Sequence, residues 1–552
     1  MQYHGRVHQH ISGKFTDVFD GSHYRSLRGQ HVQLNGKTFP HKYFEDHRDV
    51  ALGLSADGFS TFESRKQSAW AFILLNYNLP PDTRSHVENI LALGVIGPKK
   101  PVDFDSFLWP AIQELLRLLV GVRAFDALAS VVFCLRAFLI LVFGDIPAVS
   151  SLMQMKGHSG VLPCRMCKII GLRIPNSRTT HHYVPLERSH HPDTRMNPNA
   201  VGTFDPHDLP MRTHTELRSQ GEEVQMALMN NGAEDMGKAY GVKGLSIFHY
   251  LPSISFPISF PYDFMHLIWE NVVQNLVSLW TGSYNGLGQG TESYELEETV
   301  WDAIGLATAA SGSHIPSAYG TRLPDIAKHK AYYSAEMWSF WVLYLGPVLL
   351  RWRFKRPKYY AHFIRLVYLL NLCLQFEIST AEIEEIQNGF ALWVQEFEAY
   401  VTTALVCMKI ISFPVRIYYQ YKPSRLSCCR VTIHALLHIS NSIKATGPVW
   451  CYWAFPMERY CGVLHRAVRS RRFPYASLAR FLSETTQLTQ IANVYDIADI
   501  LALRPAPALP GDFSHPQCMC DDVFGDICVL TIYLRRSVMR VNVSKISNKT
   551  RR

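Results

Sequence analysis

Two aspartates end apolar runs, a position that suits metal-dependent chemistry on phosphodiesters. Asp57 follows ALGLSA and Asp145 follows FLILVFG. Two divalent ions about 3.5–4 Å apart activate a water or a 3′-OH and stabilise the leaving oxygen. Mg²⁺ or Mn²⁺ is the expected cofactor, because hard oxygen ligands suit both and two or three carboxylates suffice. Each aspartate alone is also consistent with an ordinary residue of the turn that ends a strand.

A third carboxylate is needed, and Glu458 in FPMERYCGVLHRAVRSRRF is the candidate. Pro456 suits the first turn of a helix, and helical spacing sets Glu458 on one face with Gly462 and a row of cations. An ordinary amphipathic helix with a glutamate near its positive end is the alternative. The residues predicted to contact DNA are His465, Arg466, Arg469, Arg471 and Arg472.

A Cys-x-x-Cys pair predicts a second kind of metal site. Cys164 and Cys167 in GHSGVLPCRMCKIIG have the spacing with which two thiolates chelate one tetrahedral Zn²⁺. Imidazoles supply the remaining ligands of such a site, and His182, His181 and His158 compete for those places. Two buried free thiols are the alternative interpretation.

Asp263 and His266 are three residues apart and would share one face of a helix. Alone, this pair is also consistent with an aspartate at a helix start and a hydrogen-bonded histidine. The sequence contains no Walker loop, no Gly-x-Gly-x-x-Gly and no Gly-x-Ser-x-Gly. Nucleotide hydrolases, Rossmann enzymes and α/β-hydrolases therefore lose support.

The elements around the two aspartates predict how these residues meet. Apolar runs separated by Gly, Pro and Asp predict strands, and apolar spacing on one side predicts a helix. In chain order the strand-like runs are 51–59, 69–79, 89–97 and 138–145, and the helix is 102–121. Two hairpin strands, a third strand, a helix and a fourth strand are the opening order of an RNase H-like fold. In that fold the first and fourth strands are neighbours, so Asp57 and Asp145 would meet.

Composition predicts a large folded protein, and the net charge is compatible with a polyanionic partner without indicating one by itself. The 552 residues are 47% hydrophobic and 18% charged, and the net charge is +9. The apolar stretches 128–143 and 338–350 are predicted to be core, because Arg136 interrupts the first and the second is shorter than the ~20 residues of a spanning helix. No membrane partner is expected. The 12 cysteines are scattered and predict reduced thiols with one or two local metal sites.

Ordered blocks from about residue 15 to about residue 500 resemble CACTA (En/Spm) DNA transposases, basidiomycete fungal forms especially. The blocks are LGLSADGFSTF, LRAFLILVFGDIPAV, MKGHSGVLPCRMCKI, HYVPL, FPYDFMHLIWENVV, YYQYKPSRL, LLHIS, GPVWCYWAFPMERYCGVL and RSRRFPYASL. The resemblance implies a DDE-type transposase on an α/β RNase H-like core, which a zinc-binding module and a large α-helical insertion interrupt. Family members are often much longer at the N-terminus, so a truncated copy is expected.

The resemblance also assigns roles to residues. Asp57, Asp145 and Glu458 match the three acids in order. Cys164 and Cys167 match a Cys-x-x-Cys insertion, and Asp263 and His266 match an Asp-x-x-His motif near the start of the helical insertion. Glu270 and then Glu336 are the reserve candidates for the third acid.

The composition of successive stretches and the resemblance together divide the chain into seven segments. They are a polar N-terminal segment (1–45), the first part of the core (46–150), a Cys/His zinc module (151–200), a polar linker (201–261), the helical insertion (262–446), the Glu-bearing helix that completes the core (447–502), and a Pro-rich then basic tail (503–552). The tail also carries His515, Cys518, Cys520 and Cys528, but Cys-x-Cys is a less typical zinc spacing and no metal site is predicted there.

The expected function is metal-dependent strand cleavage and strand transfer on double-stranded DNA, at transposon ends and target sites. The expected setting is the nucleus, and the expected state is a homo-oligomer. A catalytically inactive, transposon-derived DNA-binding or scaffold protein is the alternative. A metal-dependent nuclease without strand transfer is a third possibility.

Overall fold

The structure is a computed structural model that describes residues 3–62, 68–98, 101, 103–288, 290, 292–315, 322–398, 417–470, 472–495 and 497–501. These residues form a mixed α/β protein. The strands are β1 Lys14–Phe15, β2 His31–Leu34, β3 Lys37–Lys42, β4 Val50–Ser60, β5 Ser68–Asn76, β6 Leu91–Ile96, β7 Val122–Asp126, β8 Val131–Leu135, β9 Ala137–Gly144 and β10 Ile378–Ser379.

Helices dominate the chain after β9. The α-helices are α1 Ser22–Arg28, α2 Asp105–Val120, α3 Ile146–Leu152, α4 Pro192–Met196, α5 His214–Met226, α6 Asn230–Tyr240, α7 Val273–Trp280, α8 Glu298–Ser311, α9 Ile326–His329, α10 Ala335–Phe340, α11 Gly346–Leu349, α12 Pro357–Cys373, α13 Thr380–Glu398, α14 Val431–Ala435, α15 Ile439–Thr446, α16 Phe455–Ala467, α17 Pro474–Tyr495 and α18 Ala498–Leu501. A π-helical segment, Met265–Val272, runs directly into α7.

The longest strands form one four-stranded sheet with the order β6–β5–β4–β9. β4 is antiparallel to β5 and β5 is antiparallel to β6, whereas β4 and β9 run parallel. Parallel neighbours need a crossover connection, and α2 lies on that connection and packs against β9. The expected first and fourth strands are therefore adjacent. The RNase H-like fold as a whole stays a prediction.

Other parts of the protein pack on both faces of this sheet. Side chains along β4 alternate between the two faces, and this alternation determines the face on which Asp57 lies. Leu54 and Ala56 pack in one core with Leu108 of α2, whereas Ala51 belongs to a larger core shared with the helices. Successive side chains of a strand point to opposite faces. Asp57 therefore shares the face of Ala51, and α16 packs against β4.

The helices from α7 to α15 pack around buried aromatic residues. Buried tryptophans of this region include Trp280, Trp301, Trp338, Trp341 and Trp393. Two of them lie in the apolar stretch 338–350, so its predicted place in the core is confirmed. The N-terminal segment joins these helices through β1, where Phe15 pairs with Ile378 of β10.

The apolar stretch 128–143 corrects a sequence expectation. Its first part forms the turn and the second strand, β8, of a hairpin with β7 rather than core, and Leu128 at the turn is 94% exposed. Val131 and Val132 favour strand structure, but the sheet that they join has two strands and leaves them exposed. The stretch enters the core from Ala137 onwards.

The polar N-terminal segment and the polar linker of the sequence analysis both carry regular structure. Residues 3–45 include α1 and three strands, and Asp17 makes a buried ion pair with Arg84 at 2.7 Å. Residues 201–261 carry α5 and α6, and Phe248 and Phe260 of this stretch are buried in the core of the sheet. Few apolar residues are enough to hold regular structure in both segments, because each segment packs against the rest of the protein.

Among the described residues, the helices lack either the length or the apolar character that crossing a bilayer requires.

Candidate metal centres

The register of β4 and β9 brings the two aspartates to the same edge of the sheet. Ala56 pairs with Gly144, and Asp57 and Asp145 are the next residues on the two parallel strands. Gly144 has a φ of 150°, and a Cβ there would lie 2.4 Å from the Ala56 carbonyl oxygen. The close approach of the two strands at this point therefore requires glycine. Asp145 then caps α3, where its side chain accepts a hydrogen bond from the Ala148 amide.

Glu458 reaches the same edge from the far end of the chain. It lies in the first turn of α16, which has Pro456 near its start. The Ala454 amide, just before this helix, donates a 2.7 Å hydrogen bond to Asp263 Oδ1. Asp263 therefore fixes the position at which the Glu458 helix begins.

The ligand atoms of Asp57, His266 and Glu458 all lie within 4.8 Å of one another, and these three residues are called the acidic site below. Burial, followed by the hydrogen bond and the charge of Glu458, raises the pKa of Asp57 to about 8. Burial also acts to raise the pKa of Glu458, but hydrogen bonds with His266 and Asp57 hold it below its ordinary value. Two carboxyl groups this close share one proton at neutral pH.

His266 stands between the acidic groups. Its Nδ1 lies 2.5 Å from Asp263 Oδ2, and its Nε2 lies 3.4 Å from Glu458 Oε1 and 3.8 Å from Glu270 Oε2. Burial acts to lower its pKa, but the bonds to Asp263 and Glu458 outweigh this and raise the pKa to about 12. His266 is therefore an imidazolium at neutral pH, and its charge compensates the surrounding carboxylates.

The remaining candidate acids lie at different distances from this centre. Asp145 is not in the group that converges within 4.8 Å, but its charge contributes to the raised pKa of Asp57. Glu270 lies close to His266, and burial is the main cause of its raised pKa. Glu336 lies in α10 and brings no ligand atom into either metal-binding group of the described residues.

Cys164 and Cys167 meet two histidines from the far end of the helical region. Cys164 Sγ lies 3.4 Å from His438 Nε2, Cys167 Sγ lies 3.1 Å from His434 Nε2, and the two Nε2 atoms are 3.2 Å apart. The edges of a tetrahedron around Zn²⁺ are about 3.5 Å for sulfur to nitrogen and about 3.3 Å for nitrogen to nitrogen. These four buried residues, called the Cys/His cluster below, thus have the spacing of one zinc site.

The histidines that the sequence suggests as zinc partners lie apart from this cluster. His181 is exposed, and its ring stacks on His158 with 6.5 Å between centroids. His182 Nδ1 bonds instead to the Ser159 carbonyl oxygen at 2.9 Å. Neighbours in sequence therefore do not complete the site. The signal that was missed is the spacing of His434 and His438, which is the His-x-x-x-His half of many Cys₂His₂ sites.

The two cysteines of the cluster have opposite pKa shifts. Burial raises the pKa of Cys167 well above its ordinary value. Burial opposes ionisation of Cys164 as well, but the hydrogen bond with Cys167 and the nearby His434 and His438 hold its pKa well below the ordinary value. The Nδ1 atoms of both histidines are buried without a hydrogen-bond partner among the described residues. Thiolate sulfur and imidazole nitrogen are ligands that zinc prefers.

Arg165 and Tyr262 lie between the acidic site and the Cys/His cluster. Tyr262 Oη is 3.5 Å from Cys164 Sγ, and the next residue along the chain is Asp263. The Arg165 guanidinium is 1% exposed, lies 4.0 Å from the centre of the Tyr262 ring and donates to the Pro261 carbonyl oxygen at 2.9 Å. One buried contact network therefore reaches both groups.

The candidate DNA-contacting residues extend from the end of α16. Arg466, Arg469 and Arg472 are exposed, and His465 is half-buried. Arg471 and the basic tail, residues 535–552, lie outside the described residues. The same holds for the cysteines and the histidine of the tail.

Residues 30–209 match a family model described as Transposase family tnp2. The matched span includes both aspartates and the Cys-x-x-Cys pair, and it ends before the residues that complete the two groups. No curated protein matches the chain. The family match supports a transposase family, and with it a role in DNA transposition.

Proposed function

We propose, from the match to a transposase family, that the chain is a DDE-type DNA transposase with an RNase H-like core, of the CACTA (En/Spm) kind. It cleaves strands at transposon ends and joins the freed 3′-OH to target DNA. The observation that carries the proposal is the convergence of Asp57 and Glu458 beside Asp145. Action in the nucleus and as a homo-oligomer, and a basidiomycete origin, rest on the resemblance and the substrate alone.

The two carboxyl groups of the acidic site, together with Asp145 beside it, are a donor set that fits Mg²⁺ or Mn²⁺. Asp57, Asp145 and Glu458 offer carboxylate oxygens, the ligands that these ions prefer. The Glu458 side chain is 43% exposed, so a phosphate can approach from the solvent side. When bound, such ions activate a water or a 3′-OH and stabilise the leaving oxygen. In the metal-free protein, the proton shared by Asp57 and Glu458 neutralises negative charge that a bound cation would otherwise neutralise.

The protein's own residues orient the acids and hold protons. Asp263 accepts hydrogen bonds from His266 and from the Ala454 amide, so one carboxylate fixes both the imidazole and the start of α16. His266, protonated on both nitrogens, presents its Nε2–H to Glu458 and limits the directions that this carboxylate adopts. We infer that His266 is a positioning residue for the third acid.

Zinc in the Cys/His cluster is proposed to be structural. All four ligands are buried, and a closed set of four leaves no position for a substrate. Zinc there would join the loop of Cys164 and Cys167 to α14, on which His434 lies. Folding of the helical region and folding of the segment after β9 would then depend on each other.

DNA is proposed to lie along the exposed cations at the C-terminal end of α16 and just beyond it. Arg466, Arg469 and Arg472 suit phosphate contacts, which fix position but carry little sequence information. Such contacts release counterions, so binding should weaken steeply as salt rises.

Cleavage and joining assays test the proposed function. We expect the wild-type chain with Mn²⁺ to nick a supercoiled plasmid and to join a labelled duplex with a free 3′-OH to it. Asp145→Ala and Glu458→Gln should lower both rates by at least ~100-fold while zinc content stays unchanged. Glu336→Gln is the matched control and should retain both activities.

Three outcomes separate the proposal from its alternatives. Cleavage that survives Asp145→Ala would refute the metal mechanism. Nicking by the wild type without joined products would indicate a nuclease. A folded wild-type chain that binds DNA but does neither would indicate the inactive DNA-binding protein.

A further inference from the structure

The loop between α11 and α12 carries cations and one exposed tryptophan on the helical region. Residues 351–356, called the Trp352 loop, read RWRFKR. The side chains of Arg351, Arg353, Lys355 and Arg356 are exposed, and Trp352 is 82% exposed. An exposed indole ring offers a large flat apolar face on which a planar group can stack.

The Trp352 loop is anchored rather than loosely attached. Phe354 in its middle is 8% exposed, and its ring packs on Trp280 and Tyr359 with centroids 5.5 and 6.0 Å away. This anchor turns the residues on either side of Phe354 towards solvent. The anchored loop therefore holds its cationic residues in fixed positions around one exposed aromatic ring.

The backbone and side chains of the loop favour a ligand with both charge and flat rings. Trp352 has a φ of 60°, a conformation that bulky residues rarely adopt and that tends to occur at functional sites. The Arg351 guanidinium lies 4.1 Å from the centre of the Trp352 ring, so one ring face already holds a cation. Lys355 pairs with Glu297 at 3.7 Å, but both side chains are mostly exposed and such pairs are weak.

We propose that the Trp352 loop is a DNA-binding site, in which Arg351, Arg353 and Arg356 contact phosphates and Trp352 stacks on an unpaired or extruded base. Guanidinium groups suit phosphate oxygens, and stacking on an aromatic ring is how proteins hold unpaired bases. The inference rests on the proposed function only in taking DNA as the partner. It adds a contact that the residues after α16 do not provide.

The position of the loop is compatible with one DNA molecule that reaches the acidic site. His266 lies in the π-helical segment that runs into α7, and Trp280 at the end of α7 contacts the loop anchor Phe354. From His266 to Trp280 this helical run covers roughly 20 Å, at a rise of ~1.5 Å per residue. A duplex covers that length with about six base pairs at ~3.4 Å each.

Equilibrium binding of labelled DNA to the full-length protein tests the loop, in Ca²⁺ and over a salt series. The probes are a paired duplex, the same duplex with one unpaired base, and a single strand. We expect Arg351→Ala with Arg353→Ala to weaken binding to all three about tenfold and to reduce the salt slope by about two. Trp352→Ala should weaken binding roughly tenfold for the two probes with unpaired bases and much less for the paired duplex. Trp352→Phe should restore most of that loss.

Matched variants control for charge and for exposed aromatic area. Arg218→Ala with Lys238→Ala removes two exposed cations elsewhere, and Tyr332→Ala removes a ring that is 79% exposed. Both should leave the binding of all three probes unchanged. Equal losses in the control and loop variants would overturn the inference.

The failure of this inference is distinguishable from failure of the proposed function. A wild-type chain that binds none of the probes removes DNA as the partner and overturns both. A wild-type chain that binds DNA as tightly as its loop variants overturns the loop site alone. Binding to anionic phosphatidylserine vesicles that depends on Trp352, with no effect of Trp352 on DNA, would also overturn it.

Discussion

The acidic site and the Cys/His cluster are built in the same way but exposed differently. Each joins residues near the N-terminal sheet to residues from the last third of the described chain. The cluster is fully buried, whereas the Glu458 side chain of the acidic site is 43% exposed. Closed four-ligand sites are structural, and sites with an open side can exchange ligands and do chemistry. We therefore propose a role in folding for the Cys/His cluster and a role in the reaction for the acidic site.

Removal of a cluster ligand should have the largest effect. We expect His434→Ala and His438→Ala to lose zinc and to fall in stability by at least several kcal/mol, since structural zinc contributes ~10–16 kcal/mol in small peptides. Zinc content by atomic emission and the thermal midpoint are the measurements. His182→Ala is the matched control, because His182 bonds to a backbone carbonyl outside the cluster. Zinc loss in His182→Ala with retention in His434→Ala would restore the partners expected from the sequence.

Metal binding at the acidic site should depend on pH, because Asp57 holds a proton with a pKa of about 8. Below this pH each bound Mn²⁺ must displace that proton, so the affinity should fall about tenfold per pH unit and level off above pH 8. Calorimetry in buffers of different ionisation enthalpy counts the released proton. Burial is the main cause of the raised pKa of Asp57, and the Glu458 charge adds to it. Glu458→Gln removes that charge, so the pH above which the affinity levels off should fall.

The same shift predicts how stability of the metal-free protein changes with pH. The pKa of Asp57 is higher in the folded protein than its ordinary 3.8, so its stabilising contribution is full below about pH 4 and is lost as pH rises towards 8. Asp57→Asn should therefore gain thermal stability relative to the wild type at pH 8 and little at pH 5. A constant difference between the two proteins from pH 5 to pH 8 would contradict the shared proton.

Some residues of the acidic site and of the Cys/His cluster can be predicted from the sequence and others cannot. The difference is whether a residue belongs to a local sequence pattern or is brought in from a distant part of the chain. Asp57 and Asp145 end near-continuous apolar runs, so their strands and their adjacency follow from local pattern and from one topological expectation. Cys164 and Cys167 form a recognisable half-site. Their partner His434 lies across the whole helical region, and no local periodicity relates the two. The hydrophobic pattern also fails to predict burial at β7 and β8, where apolar residues form an exposed hairpin.

Arg165 offers the finest test of whether the two groups are independent. It stacks on Tyr262 and bonds to Pro261, which directly precede Asp263. Arg165→Lys keeps the charge but loses the planar fork. We expect zinc content to stay at one per chain and the cleavage rate to fall roughly threefold to tenfold. This is less than the ~10–100-fold effect of residues bonded to a metal ligand, because Arg165 acts through Tyr262 and Asp263.

Arg212→Lys is the matched control for that effect. Arg212 is also buried and donates to the carbonyl oxygens of Cys164 and Cys167 at 3.2 Å, but its third contact is the Tyr240 carbonyl oxygen. Both variants should therefore lose stability, while only Arg165→Lys slows cleavage per folded molecule. Equal cleavage rates in the two variants would show that the Cys/His cluster supports the fold without setting the geometry of the acids. A selective loss in Arg165→Lys would mean that the buried group helps to position the open one.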